Sequence, residues 1–268
     1  MNDPDGSAGT PRSHIRAVAV PSEHGGWGLT LEPVILGLLV APSRAGALLG
    51  FGAFVGFLAR TPFKLAVVDA RRSRHLERTA LARRVFSVEL LILVLCAVGA
   101  VLLGDPRFWL GLAGAGPLVA IELWFDIRSR SRRLVPELAG AMGVSAVAAV
   151  IVLAAGEPVA LAGALWLVLA ARSLTAIPFV RDQVMQLHGR PTTPGALLAG
   201  DTAALLAVAA AAALDTGVVV GAITLVAIMA YQRISGRNPP STAVVLGVRQ
   251  TVIGLTLVLV TGLGVLAP

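Results

Sequence analysis

Long apolar runs alternate with short clusters of arginine, and that alternation organises the whole chain. Runs long enough to cross a bilayer as helices, which takes about 20 residues, are predicted at about 26–42, 45–68, 85–103, 108–125, 134–155, 159–179, 196–214, 217–232 and 244–266. The expected fold class is therefore all-α, a polytopic membrane bundle of about nine transmembrane helices. Residues 1–16 are rich in Gly, Ser, Pro and Asp and have no apolar segment of the kind a secretory signal needs. A disordered tail is expected over 1–19, followed by a single transmembrane domain over 20–268.

Composition agrees with that pattern and excludes a soluble domain. Hydrophobic residues make up 56% of the chain and charged residues only 14%, with a mean hydropathy of +0.82. The segments between apolar runs alternate in basic content. One side carries Arg12, Arg16, Arg71, Arg72, Arg74, Arg78, Arg83, Arg84, Arg128, Arg130, Arg132, Arg133, Arg181, Arg190, Arg233 and Arg237, and the other only Arg44 and Arg107. Basic loops stay in the cytoplasm, so the expectation is a bacterial plasma-membrane protein with its N-terminus cytoplasmic and, after an odd number of crossings, its C-terminus outside. The net charge of +7 then records topology and some affinity for anionic membrane lipids, and no nucleic acid partner is expected. Cys96 lies mid-helix and the four histidines lack metal-ligand spacing, so neither a disulfide nor a zinc site is expected.

Three sequence echoes point to an internal repeat. Ala59-Arg60-Thr61-Pro62-Phe63 with Asp69 ends the second run, and Ala171-Arg172-Ser173, Pro178-Phe179 and Arg181-Asp182 end the sixth. Val20-Pro21 with Glu23 precedes the first run as Val135-Pro136-Glu137 precedes the fifth, and Val119 to Trp124 resembles Val226 to Tyr231. The repeats are predicted at about 20–130 and 131–237, with a last helix at about 244–266. A four-helix unit returns to its starting side, so the copies are parallel. Arg60, Lys64, Arg172 and Arg181 are then expected to converge on a cavity near the cytoplasmic face.

Arg60 and Lys64 need an explanation, because two cations one turn apart repel each other and ionisable groups at membrane depth are expensive. Three readings stay open. The side chains snorkel to the interface; they pair with Glu122 and Asp126, which share the same spacing on the fourth run; or they face an anionic ligand. Glu32, inside the first run, is expected to face the cavity or a backbone partner. His24 is either structural or a proton carrier.

Pro21-Ser22-Glu23-His24-Gly25-Gly26-Trp27, running on to Glu32-Pro33, resembles the opening block of the YwiC-like bacterial membrane proteins, and the Arg60-x-Pro62 and Arg71-Arg72 region fits the same pattern. That resemblance implies no reaction. The overall architecture also resembles the UbiA-type intramembrane prenyltransferases, which carry aspartate-rich motifs after helices two and six that hold magnesium against a prenyl diphosphate. Only Asp69 and Asp182 remain at those places, a poor magnesium cage, whereas arginine can grip phosphate oxygens directly. The resemblance implies an isoprenoid diphosphate or other anionic lipid as ligand and a transferase or cyclase activity. Arg60, Lys64, Arg71, Arg72, Arg172, Arg181, Asp182 and Glu32 would then bind substrate, with Asp69, Glu122, Asp126 or His24 catalytic. The alternatives are a small-molecule or lipid transporter or flippase, or a non-catalytic assembly factor.

Overall fold

A computed structural model describes residues 24–71, 76–128, 133–239 and 241–267, with side chains described from Trp27 onward. Among the described residues there are nine helices and no strand. They are α1 His24–Val40, α2 Arg44–Arg71, α3 Glu77–Leu103, α4 Phe108–Ile127, α5 Leu134–Ala154, α6 Val159–Leu187, α7 Pro194–Leu214, α8 Val219–Ser235 after a 3₁₀ turn at Thr216–Val218, and α9 Ala243–Leu266. Each coincides with one predicted run, because in lipid a spanning segment must satisfy its backbone groups internally and only a helix does so alone. Eight are long and apolar enough to cross a membrane, counting the 3₁₀ turn with α8. α1, with 17 residues, is shorter, about 25 Å. The expected tail over 1–19 lies outside the described residues.

α5 and α6 form the centre. Most of their apolar windows are buried inside the protein, whereas the other spanning helices present most of their surface outward, as lipid-facing helices can because lipid tails are as apolar as leucine. α5 is interrupted at Ala146, whose N–H reaches Gly143 O at 3.2 Å, while Ser145 Oγ donates to Ala141 O at 2.7 Å. Such back-bonding hydroxyls bend helices. Trp166 Nε1 of α6 donates to Met142 O of α5 at 2.8 Å, fixing the two central helices to each other.

The packing order recurs four helices on. The two most extensive helix contacts are α2 with α3 and α6 with α7. α1 packs on α2 as α5 does on α6, and α4 packs on α5 as α8 does on α9. One contact breaks the pattern: α7 packs on α8, but α3 and α4, consecutive in the chain, are not a packed pair. α9 lies against α1.

Candidate functional site

A cavity of about 1110 Å³ lies between α2, α4, α5 and α6, with smaller contributions from α1, α3 and α9. This is at the upper end for ligand sites. Most of its wall is apolar, from Phe57 and Phe63 to Val119 and Val150, and the polar groups gather toward the arginine-rich ends of the helices. They include Arg60, Glu122, Glu137, Arg172, Arg181 and Gln250.

Arg60 projects from α2 and meets two carboxylates of α4. Its Nε donates to Asp126 Oδ2 at 2.6 Å and its Nη1 lies 2.8 Å from Glu122 Oε1. Lys64 Nζ, one turn on, donates to Asp126 Oδ1 at 3.4 Å. Pairing with α4 is therefore what the structure shows, and the i, i+4 spacing on both helices is its cause: two cations on one face meet two anions on another. Asp126 is almost fully buried behind the pair, while Glu122 lines the cavity. Gly140 of α5 makes room for Glu122, since a Cβ there would stand 2.3 Å from the Glu122 carboxyl carbon.

Arg172 is arranged differently. It is 2% exposed, lines the cavity and is the largest fully buried side chain. Its Nη2 donates to Gln250 O of α9 at 2.8 Å and lies 3.8 Å from Glu32 Oε1, while Nε and Nη1 have no hydrogen-bond partner. Glu32 is held between α1 and α9 because Gly254 offers no side chain: a Cβ there would stand 1.7 Å from Glu32 Oε1. So the buried guanidinium has a distant anion behind it and two free donors. Unmade donors at a buried charge are costly, and both of these are themselves buried, on a residue that lines the cavity.

The remaining expected residues are placed as follows. Arg181 lines the cavity, and its Nη1 donates to Glu137 Oε2 at 2.9 Å. Asp69 is buried between α2 and α3, accepting from Thr79 Oγ1 at 2.7 Å and Arg78 Nη2 at 3.3 Å. Asp182 is buried on α6 and accepts from Gln186 Nε2 at 2.7 Å. Lys64, Asp69, Asp126, Asp182 and the exposed Arg71 do not line the cavity. Arg72 and the His24 side chain lie outside the described residues. A magnesium ion does not fit the carboxylates present: Asp69 is taken up by Thr79 and Arg78, Asp182 has one oxygen on Gln186 and the other without a partner, and among the described residues no His, Cys, Asp and Glu group is placed to hold a metal. Trp27 packs its ring on Phe54 and Phe57 of α2, at 5.8 and 5.3 Å between centroids.

Sequence reasoning missed Glu137, Gln250 and Glu89. Glu89 sits in the stripe Thr79, Ala82, Phe86, Glu89, Leu93, Cys96, Ala100, whose three-and-four spacing marks the face of α3 that packs on α2. Gly52 lies against Cys96, Gly56 against Leu93 and Phe63 against Phe86, a register that puts Glu89 level with Arg60. Its Oε2 is buried with no hydrogen-bond partner. An acid in an otherwise apolar stripe was the available signal. Gln250 had none, because its role comes from a backbone carbonyl.

Fold and site together define a polytopic helical membrane protein with an internal cavity, apolar along most of its length and arginine-lined at one end. Residues 20–155 match the model of the YwiC-like protein family, and the chain belongs to that family. No curated protein and no solved structure matches it.

Proposed function

We propose that this protein is an intramembrane enzyme that takes an isoprenoid or related lipid by a phosphate or diphosphate head, with the arginine-rich end of the cavity facing the cytoplasm. The observation that carries this reading is Arg172, whose Nε and Nη1 have no partner. Those two donors point to different sides of the planar guanidinium, so each can give a separate charge-assisted hydrogen bond to an oxygen of an anionic head group. The apolar wall from Phe57 to Val150 suits the lipid tail.

In this reading Arg172, with Arg181 lining the same cavity, stabilises the charge that develops on a departing diphosphate. The carbon–oxygen bond to the diphosphate breaks with the electron pair leaving on oxygen. A bond to an acceptor nucleophile forms, and Glu122, the carboxylate of the α4 pair that lines the cavity, takes the acceptor's proton. In a cyclisation Glu122 takes the proton lost from the carbocation instead. Asp69 and Asp182 would shape the helix ends rather than carry the head group.

One observation favours a second reading, a transporter or lipid flippase. Glu89 is a carboxylate well inside α3 with an unpartnered oxygen beside the Arg60 layer, and such groups mark proton relays in transporters. Incubation of the purified protein with labelled prenyl diphosphates, with product analysis, and uptake into proteoliposomes separate the two. The enzyme reading expects product with the native protein and none with Arg172→Ala. Uptake without any product overturns it.

A further inference from the structure

The two halves differ at one seam. In the second half α7 packs on α8, and Arg233 of α8 reaches across: its Nε donates to Asp201 Oδ2 of α7 at 2.6 Å and its Nη2 to Leu197 O at 3.0 Å. In the first half the residue matching Arg233, by the alignment of Val119–Trp124 with Val226–Tyr231, is Asp126, and Asp126 turns to Arg60 and Lys64 of α2. Among the described residues no such side-chain bond between α3 and α4 is seen. α3 packs extensively on α2 alone, and α4 on α5.

The cavity reaches that seam from inside. Phe86 and Leu93 of α3 and Leu112 and Leu123 of α4 all belong to its wall, and Leu112 is 38% exposed. Leu90 and Leu91 of α3 and Ile121 of α4 continue the apolar surface outward. An apolar slot from an internal volume to a lipid-facing surface is stable in a bilayer because lipid chains fill it at no hydrophobic cost, whereas a water-filled one of that composition is not.

We propose that the slot between α3 and α4 holds the tail of the ligand, which passes from the cavity into the bilayer. This rests on the ligand reading above and narrows the ligand's class. The substrate is a membrane-resident lipid whose chain is longer than the cavity, not a short-chain metabolite arriving from water. Its head docks at Arg172 and its tail leaves past Leu93 and Leu112.

The test compares two probes, a long-chain polyprenyl phosphate carried in phosphatidylcholine vesicles and geranyl phosphate in solution, on the full-length protein and on Leu93→Trp and Leu112→Trp. The expected result is that the indole lowers capture of the long chain by about tenfold more than capture of the short one. A second variant guards against misfolding: Leu93→Cys with Leu123→Cys in a Cys96→Ala background, bridged by a cleavable bifunctional thiol reagent. Bridging should abolish long-chain capture and reduction should restore it in the same molecules. Equal loss of both probes, or long-chain capture that survives bridging, overturns the slot and leaves the ligand reading standing. If the native protein captures neither probe, the ligand reading fails and the slot with it.

Discussion

The two halves of this bundle place an arginine at matching positions of matching helices, and the surroundings give each a different task. Arg60 on α2 meets Glu122 and Asp126 of α4 at bonding distance. For Arg172 on α6 the places of α8 that match Glu122 and Asp126 hold Met229 and Arg233, so the sequence has no anions there, and the carboxylate paired with Arg172 is Glu32 of α1 at 3.8 Å. A guanidinium with two close carboxylates is satisfied and structural. One with two unpartnered donors, on a residue that lines the cavity, has hydrogen bonds left to make, and the proposed ligand would make them. The same substitution of anions by Arg233 also ties α8 to α7, whereas Asp126, occupied by α2, leaves α3 and α4 apart. One charge difference between the halves thus accounts for both the bare donors and the open seam.

The contrast breaks most severely at Arg60. Arg60→Ala removes from the buried Asp126 its closer cation, leaving Lys64 at 3.4 Å, and takes the 2.8 Å guanidinium contact from Glu122, and unpairing a buried ion pair costs about 3–5 kcal/mol. The expected outcome is a large fall in the midpoint of thermal unfolding in detergent. Arg172→Ala should instead weaken capture of a prenyl phosphate by about 100-fold, or about 2.7 kcal/mol, measured by binding to the purified protein. Arg172→Lys should recover little of it, since an ammonium cannot keep the bond to the Gln250 carbonyl and offer the guanidinium's other fixed donors at once. If Arg60→Ala loses ligand and Arg172→Ala does not, the assignment of tasks is reversed.

Smaller changes sharpen the comparison through the glycines behind each acid. Gly254→Ala would press on Glu32 and Gly140→Ala on Glu122, each costing about 1–3 kcal/mol as overpacking. Removing the crowded acid relieves the strain, so Glu32→Ala in the Gly254→Ala background should recover unfolding stability. The smallest effect is expected at the α3–α4 turn. There the Arg107 side chain and backbone N–H both donate to Asp105, holding its carboxyl below the ordinary value of 3.8. A carboxyl lowered in the folded state contributes stability above its unfolded value and loses it as pH falls through the folded one. Asp105→Asn should therefore lower the unfolding midpoint slightly at neutral pH, and the difference should vanish in acid below that value.

How much of the site was legible depended on whether local spacing carried the information. The i, i+4 pairs Arg60–Lys64 and Glu122–Asp126 could be matched from the sequence because a helix puts such residues on one face whatever the tertiary context. Glu89 was equally legible in principle, as the acid in a largely apolar stripe. Asp69, expected as catalytic, and Asp182, expected to bind substrate, do not line the cavity, and their partners Thr79, Arg78 and Gln186 are set by how the helix ends pack. No residue pattern announces that the carbonyl of Gln250 will hold Arg172, since every residue has a carbonyl.

The sequence by itself determined the nine helices and the membrane class, because in hydrocarbon the backbone has no partner but itself and a long apolar run has little choice but to be helical. It also determined which helices carry charge and at which spacing. Only the tertiary structure decided which charges are satisfied, where the cavity lies and which seam stays open. Those outcomes depend on distances between residues far apart in the chain, and in a solvent as apolar as the side chains, helix packing follows close fit and a few polar bonds rather than any periodic pattern a sequence displays.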